Sequence, residues 1–201
     1  MPLHLRAVFL WVAATDHHHR NLRLLGADLV YAIPGLATLA VKSGHTRADP
    51  AEAARLLAGG DLVGVFPEGF KGIGKLFRER YQLQRFGRGG FAATAIEAGV
   101  PIVPCAIVGA EEIYPMIGNA RPLARIFGLP YFPVTPLFPW LGPLGAIPLP
   151  SNWIIEFLPP VPTHDYPVGD EDAIAELSDR IRDTIQQKLH TLVAERGPAF
   201  G

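Results

Sequence analysis

Between Arg125 and Glu156 the chain carries no charged residue. That uncharged run is long enough for a bilayer-spanning helix. Pro130, Pro133, Pro136, Pro139, Pro143, Pro148 and Pro150 rule the helix out, because each removes a backbone donor and clashes with the turn before it. Irregular backbone cannot cross hydrocarbon with its polar groups unpaired. The stretch therefore does not span. Three roles stay open: an interfacial membrane contact through Tyr131, Phe138 and Trp140, an apolar wall over a lipid-binding groove, or cover for the core.

The rest of the chain alternates between strand and helix signals. "NLRLLGA" (21–27) has strand length, residues 3–14 have helix-compatible spacing, and "ADLVYAIPGLATLAV" is an apolar helical stretch interrupted at Pro34. Asp49 to Ala58 predicts a helix, with Asp49 as N-cap, Pro50 at the first position, Glu52 in the first turn and Gly59-Gly60 as the stop. "DLVGVF" (61–66) follows as a buried strand, and a polar loop rich in Gly and Arg runs to about Phe86. "GGFAATAIEAG" is a helix closed by Gly99, and "VPIVPCAIVG" (100–109) and "NWIIEFLPPV" are strands. From about 170 to 195 the apolar positions Ile174, Leu177, Ile181, Ile185, Leu189 and Leu192 mark a long amphipathic helix. This alternation predicts an α/β fold: one layered domain over residues 1–201, with a largely parallel sheet flanked by helices.

Charge and cysteine use narrow the function. A formal net charge of −1 gives no global field for nucleic acid. Cys105 is the single cysteine, so no intramolecular disulfide forms, and no Cys/His pattern has zinc spacing. No metal or organic cofactor is expected, and the cytoplasm is the default compartment. The apolar run Ala7–Ala14 is too short, and lacks the cleavage site, for a secretory signal.

The stretch "VFPEGFKGIGKL" (65–76) has two frames. From Gly69 it reads G-x-x-x-x-G-K, the spacing of a phosphate-cradling P-loop. Leu76 then stands where a magnesium-binding hydroxyl is needed, and the helix signal is delayed to Gly87. From Phe66 it reads F-P-E-G. With the strand Val100-Pro101-Ile102-Val103-Pro104 about 30 residues on, and "KSGHTRAD" with Gly44 and Arg47 ahead of it, this order resembles the glycerol-phosphate/lysophospholipid acyltransferase family over roughly residues 20–165.

The resemblance implies an acyltransferase-like fold and transfer of an acyl chain from an acyl-CoA or acyl-carrier-protein thioester to a lysophospholipid or glycerol-phosphate hydroxyl. It implies substrate contacts at Phe66, Pro67, Glu68 and Gly69, with Arg47 joining the phosphate contacts. Lys71, Lys75, Arg78, Arg80, Arg85 and Arg88 give the following loop two readings: a local anion site, since guanidinium groups bind phosphate bidentately, or a solvated charged loop. Backbone amides at Gly69, Gly72 and Gly74 are candidates to hold an oxyanion. Glu68 has two readings: it positions the acceptor glycerol, as the resemblance implies, or it is a structural carboxylate bonded to backbone amides at the strand end. The working place for such a protein is peripheral, on the cytoplasmic face of a membrane.

Acyl transfer needs a general base, in the family a histidine in a His-x4-Asp block. No histidine of this chain has that partner. "DHHHR" (16–20) reads as a polar turn. His45 is four residues from Asp49, but Asp49 is the expected N-cap, which leaves His45 a minor candidate for the base. The family's block would fall near or before Met1, so an N-terminally shortened chain is expected. The alternative to an enzyme is a catalytically inactive lipid-phosphate-binding remnant of the same fold.

Overall fold

Three short strands run parallel in the first half of the fold. In the computed structural model, which describes residues 21–26, 42, 44–126, 128 and 131–198, β1 (Leu22–Gly26) lies between β2 (His45–Arg47) and β3 (Leu62–Gly64). Leu24 pairs with His45 on one side and Gly64 on the other, and Gly26 pairs with Arg47. Parallel neighbours need a crossover, and α1 (Pro50–Ala58) carries the chain from β2 to β3. Its start follows the sequence signal: the Asp49 carboxylate accepts the Glu52 N–H at 3.0 Å, and the chain leaves the helix at Gly59. Ala53 and Leu56 are its buried face.

Helix α2 (Phe70–Ile73) is a single turn after β3. Helix α3 (Gly90–Ala98) ends on left-handed Gly99. Its buried residues are Ala92, Ala95 and Ile96, small enough for close packing. It sits against α1 and against α5 (Glu171–Arg196). Two core clusters share α5. One gathers Phe86, Ala92, Ile96, Val161, Leu177 and Ile181, and the other Tyr81, Ala106, Val108, Ile154, Leu189 and Leu192. The expected amphipathic spacing is therefore realised, with Asp170 capping the helix through the Asp172 and Ala173 amides.

β4 (Cys105–Val108) does not extend the parallel sheet; it pairs antiparallel with β7 (Ile154–Phe157) and lies on α5. A second antiparallel pair, β5 (Gly118–Asn119) with β6 (Pro133–Val134), brackets helix α4 (Arg121–Ile126). The architecture is α/β with a parallel sheet and helices, as expected, with antiparallel pairs added in the second half.

Several boundaries differ from the sequence reading. "DLVGVF" is a strand only over 62–64, at the edge of the sheet among the described residues, and it is not buried: Leu62 and, beyond the strand, Phe66 are exposed, Phe66 at 63%. The strand expected over 100–109 shortens to 105–108; Pro101 and Pro104 have no N–H to pair, and Ile102 makes only an isolated bridge to Val161. The polar loop 67–86 holds α2 and a 3₁₀ turn at Phe77–Glu79. The stretches expected as helix at 3–14 and 27–41, and "DHHHR" (16–20), fall outside the described residues.

The uncharged segment divides its roles. Tyr131 and Phe138 are half-buried, with Phe138 against Phe132 at 5.5 Å between ring centroids. Trp140, Leu141, Leu144 and Ile147 face outward around the 3₁₀ turn Gly142–Ala146. No helix among the described residues is long and apolar enough to cross a membrane.

Leu177 is fully buried on α5. Leu177→Ala is expected to lower folding stability by about 3 kcal/mol, the usual cost of a core leucine truncation, read as a shift of the urea midpoint at unchanged slope.

Candidate active site

The parallel register decides which residues share an edge. β1, β2 and β3 all run the same way, so Gly26, Arg47 and the chain just after Gly64 lie at one carboxyl edge. Open α/β sheets place ligands at that edge. The "KSGHTRAD" block and F-P-E-G, about 20 residues apart in sequence, are thereby brought to the same end of the sheet.

A groove of about 770 Å³ runs along β2 and α1, from Arg47 at the carboxyl edge back past Thr46, His45 and Gly44 to Arg23 and Asp61 at the amino ends of β1 and β3. Arg23 and Arg55 also line it, but both are matched: Arg23 by Asp61 at 3.5 Å and Arg55 by Glu52 at 2.6 Å. Arg47 stands exposed at the end of β2. Asp49 is committed to the α1 cap, so it does not serve as the carboxylate that orients His45.

The F-P-E-G turn is built as a tight fold-back. Gly69 N–H donates to Phe66 O at 3.0 Å and Gly72 N–H to Gly69 O at 3.2 Å. This corrects the expectation for two of the glycine amides: those of Gly69 and Gly72 are engaged within the turn. Gly72 has a steric duty instead, since a Cβ there would lie 2.7 Å from Glu68 Oε2. Pro67 O accepts the Gly87 N–H at 3.3 Å, which ties the turn to the entry of α3.

Glu68 points inward from this turn, its side chain 17% exposed. Oε1 accepts the Gln84 N–H in a short hydrogen bond and lies 3.6 Å from Lys75 Nζ. One oxygen of Glu68 is thus held by a backbone amide, while Oε2 has no hydrogen-bond partner among the described residues.

Lys75 is the main departure from the expected site. Its side chain is 5% exposed, and Nζ donates to Glu111 Oε1 at 2.8 Å and Gln82 O at 2.9 Å. It is an interior tether and not an open anion contact, which also removes the P-loop frame, whose lysine must reach a phosphate. Arg80 folds over the Phe77 ring at 4.5 Å. Lys71, Arg78, Arg85 and Arg88 remain exposed, Arg78 with Glu79 at 3.6 Å. Phe66 is exposed beside them.

The sequence reading passed over Glu111 and Glu112, the only charged residues between Glu97 and Arg121. That isolation within an apolar stretch was the available signal. Gly109, at φ 103 and with no room for a Cβ against Asn152 O, turns the chain so that the two carboxylates diverge. Glu111 faces Lys75 and the Tyr81 N–H. Glu112 is fully buried and accepts from Tyr81 Oη at 2.6 Å, Ser151 Oγ at 2.7 Å and Arg196 Nη1 at 2.8 Å. Burial raises the Cys105 thiol to about 11, so it is no nucleophile near neutral pH.

The chain belongs to the Acyltransferase family, whose model matches residues 4–108, just over half of the chain. It is 54% identical over 198 residues to an uncharacterized protein of Mycobacterium tuberculosis, covering 96% of this chain and 55% of that protein. A Mycobacterium leprae protein is 52% identical over 96% of this chain and 54% of its own length. The chain therefore spans about half the length of the mycobacterial relatives it matches. A Bos taurus protein described as a DGAT1/2-independent enzyme synthesizing storage lipids is 25% identical over 122 residues, 61% of this chain and 36% of that one. The fold matches the 1-acyl-sn-glycerophosphate acyltransferase PlsC of Thermotoga maritima, at TM-score 0.50 and 16% identity over 85% of this chain and 56% of that chain.

Burial alone would push the Glu112 carboxyl up, but the bonds from Arg196, Tyr81 and Ser151 together hold it below its ordinary 4.5. A depressed carboxyl contributes stability that is full above the ordinary range and is lost as pH falls through the folded value. Glu112→Gln, which leaves Arg196 buried without its counter-charge, is expected to cost about 3 kcal/mol at neutral pH. The gap to wild type should narrow as pH falls below 4.5, measured by urea unfolding at each pH.

Proposed function

We propose that this chain is the body of a glycerol-phosphate or lysophospholipid acyltransferase that works at a membrane surface. The observation that carries the reading is the shared carboxyl edge, where Arg47 at the end of β2 and the F-P-E-G turn after β3 lie at one end of the parallel sheet. Family membership supports acyl transfer as the reaction class. The acceptor's phosphate lies against Arg47, with Lys71 and Arg78 exposed on the segment after the F-P-E-G turn, and Glu68 orients its glycerol hydroxyl. The hydroxyl gives its proton to a base while its oxygen attacks the thioester carbonyl. The tetrahedral intermediate collapses, an ester forms, and the thiolate leaves to take up a proton. His45 is the histidine among the described residues that lines the groove, so it is the base to test first.

The donor is an acyl-CoA or acyl-carrier-protein thioester, and no metal or organic cofactor takes part. Membrane contact is assigned to Trp140, Leu141, Leu144 and Ile147, an exposed apolar group in a segment without charge. The cytoplasmic face is the proposed location. A second reading, lipid-phosphate binding without turnover, draws support from the sequence, in which no histidine and aspartate form a His-x4-Asp block.

The deciding assay follows free thiol released from a long-chain acyl-CoA by the chain, with lysophosphatidate, lysophosphatidylcholine, glycerol 3-phosphate and monoacylglycerol offered as acceptors. Monoacylglycerol is included because of the storage-lipid description of the bovine relative. Acceptor-dependent thiol release supports the enzyme; binding to anionic vesicles with no thiol release supports the remnant. In an active chain, Arg47→Ala is expected to raise the KM of a phosphate-bearing acceptor about tenfold, the value of one charge-assisted contact, and to leave a monoacylglycerol KM unchanged. Full turnover by His45→Ala would place the base elsewhere.

Vesicles carrying brominated lipid should quench the fluorescence of Trp140 above that of a Trp140→Phe control. Equal signals from both would remove the 140–147 turn as the membrane contact.

A further inference from the structure

The strap Tyr81–Gln84 is held almost wholly by side chains from elsewhere. Tyr81, with φ at 63, gives its N–H to Glu111 Oε2 at 2.8 Å and accepts Gln186 Nε2 on its carbonyl at 2.8 Å. Gln82 O takes Lys75 Nζ, Leu83 N–H donates to Gln186 Oε1 at 2.7 Å, and Gln84 N–H goes to Glu68. The Gln186 amide thus serves as a strand-like partner, bonding a carbonyl and the N–H two residues on. It reaches the strap from α5, about 100 residues away in sequence. The next N–H after Leu83 is the one that fixes the F-P-E-G carboxylate.

We infer that Gln186 is a positioning residue for Glu68, acting through the strap; the inference rests on the acyl-transfer reading of this site. Gln186 sets where Leu83 and Tyr81 lie, the strap sets where the Gln84 N–H points, and that N–H sets Glu68 Oε1. Glu111 and Lys75 brace the same strap from the other side. Of these residues, Gln186 and Glu111 lie beyond the span matched by the family model, which ends at Val108. The second half of the chain therefore contributes to the site's geometry and not only to its core. A strap held at several points fixes a carboxylate within fractions of an ångström, and reaction rates are sensitive to shifts of that size.

The test compares the wild-type chain, Gln186→Leu and Thr191→Ala, the last an exposed α5 position bonded only to Gln187 O. Each is assayed at a temperature where melting curves show it fully folded, with hydrogen exchange of the Gln84 amide followed by NMR. Gln186→Leu is expected to lower kcat about tenfold, to leave donor KM near wild type, and to speed exchange at Gln84. Thr191→Ala should change neither readout. Wild-type kcat in Gln186→Leu, or a fall in kcat with unchanged Gln84 exchange, overturns the inference. If Gln186→Leu does not fold, Gln186→Glu takes its place, keeping the acceptor for Leu83 N–H and losing the donor to Tyr81 O. If the wild type turns over none of the acceptors, the acyl-transfer reading falls. Gln84 exchange then decides alone: unchanged exchange overturns the link from Gln186 to Glu68, and faster exchange supports it.

Discussion

A carboxylate with no access to water must be matched in charge and hydrogen bonds, and Glu112 is such a group. Its partners come from separate parts of the chain: Tyr81 from the loop after F-P-E-G, Ser151 from the segment before β7, and Arg196 from the last turn of α5. Arg196 grips both carboxylate oxygens and also bonds Asn152 O at 2.9 Å. Replacing such an ensemble with apolar groups of equal volume is often neutral or better for stability. Glu112 brings three distant segments to its own 3₁₀ turn.

From that point the site follows. Tyr81 is bonded at its hydroxyl by Glu112 and at its N–H by Glu111, the next residue back, so one short 3₁₀ turn holds both ends of the same side chain and backbone unit. The left-handed turn at Gly109 lets the two carboxylates face different neighbours. Glu111 completes its set with Lys75, and Lys75 stands beside Glu68. The buried core and the F-P-E-G turn are therefore joined by a continuous run of hydrogen bonds, and the exposed cations Lys71, Arg78, Arg85 and Arg88 are left to the surface.

Local signals carried well where local physics decides. The α1 cap at Asp49, the end of α3 at Gly99 and the apolar face of α5 all follow from short-range hydrogen bonding and side-chain period, and all are present in the structure. Strand limits carried less well. Whether Val65 and Phe66 pair depends on a neighbour that the edge strand β3 lacks among the described residues, and proline placement in "VPIVP" breaks pairing that apolar content alone suggests. The candidate site was legible as a set of motifs but not as a set of roles. Nothing local to Lys75 distinguishes it from Lys71, yet one is buried and the other exposed, because Glu111 lies across from only one of them.

The sequence by itself determined helices α1, α3 and α5, the F-P-E-G and V-P-I-V-P blocks, and the impossibility of a spanning helix in the proline-rich run, since each depends on neighbours a few residues apart. Tertiary structure decided that β4 turns away from the parallel sheet to pair with β7, that Gln186 of α5 holds the strap Tyr81–Gln84, and that Arg196 meets Glu112. Those outcomes depend on contacts between residues far apart in the chain, the Leu83–Gln186 pair 103 residues apart. No window of the chain contains both partners of such a contact, and so only folding reveals which charges face inward.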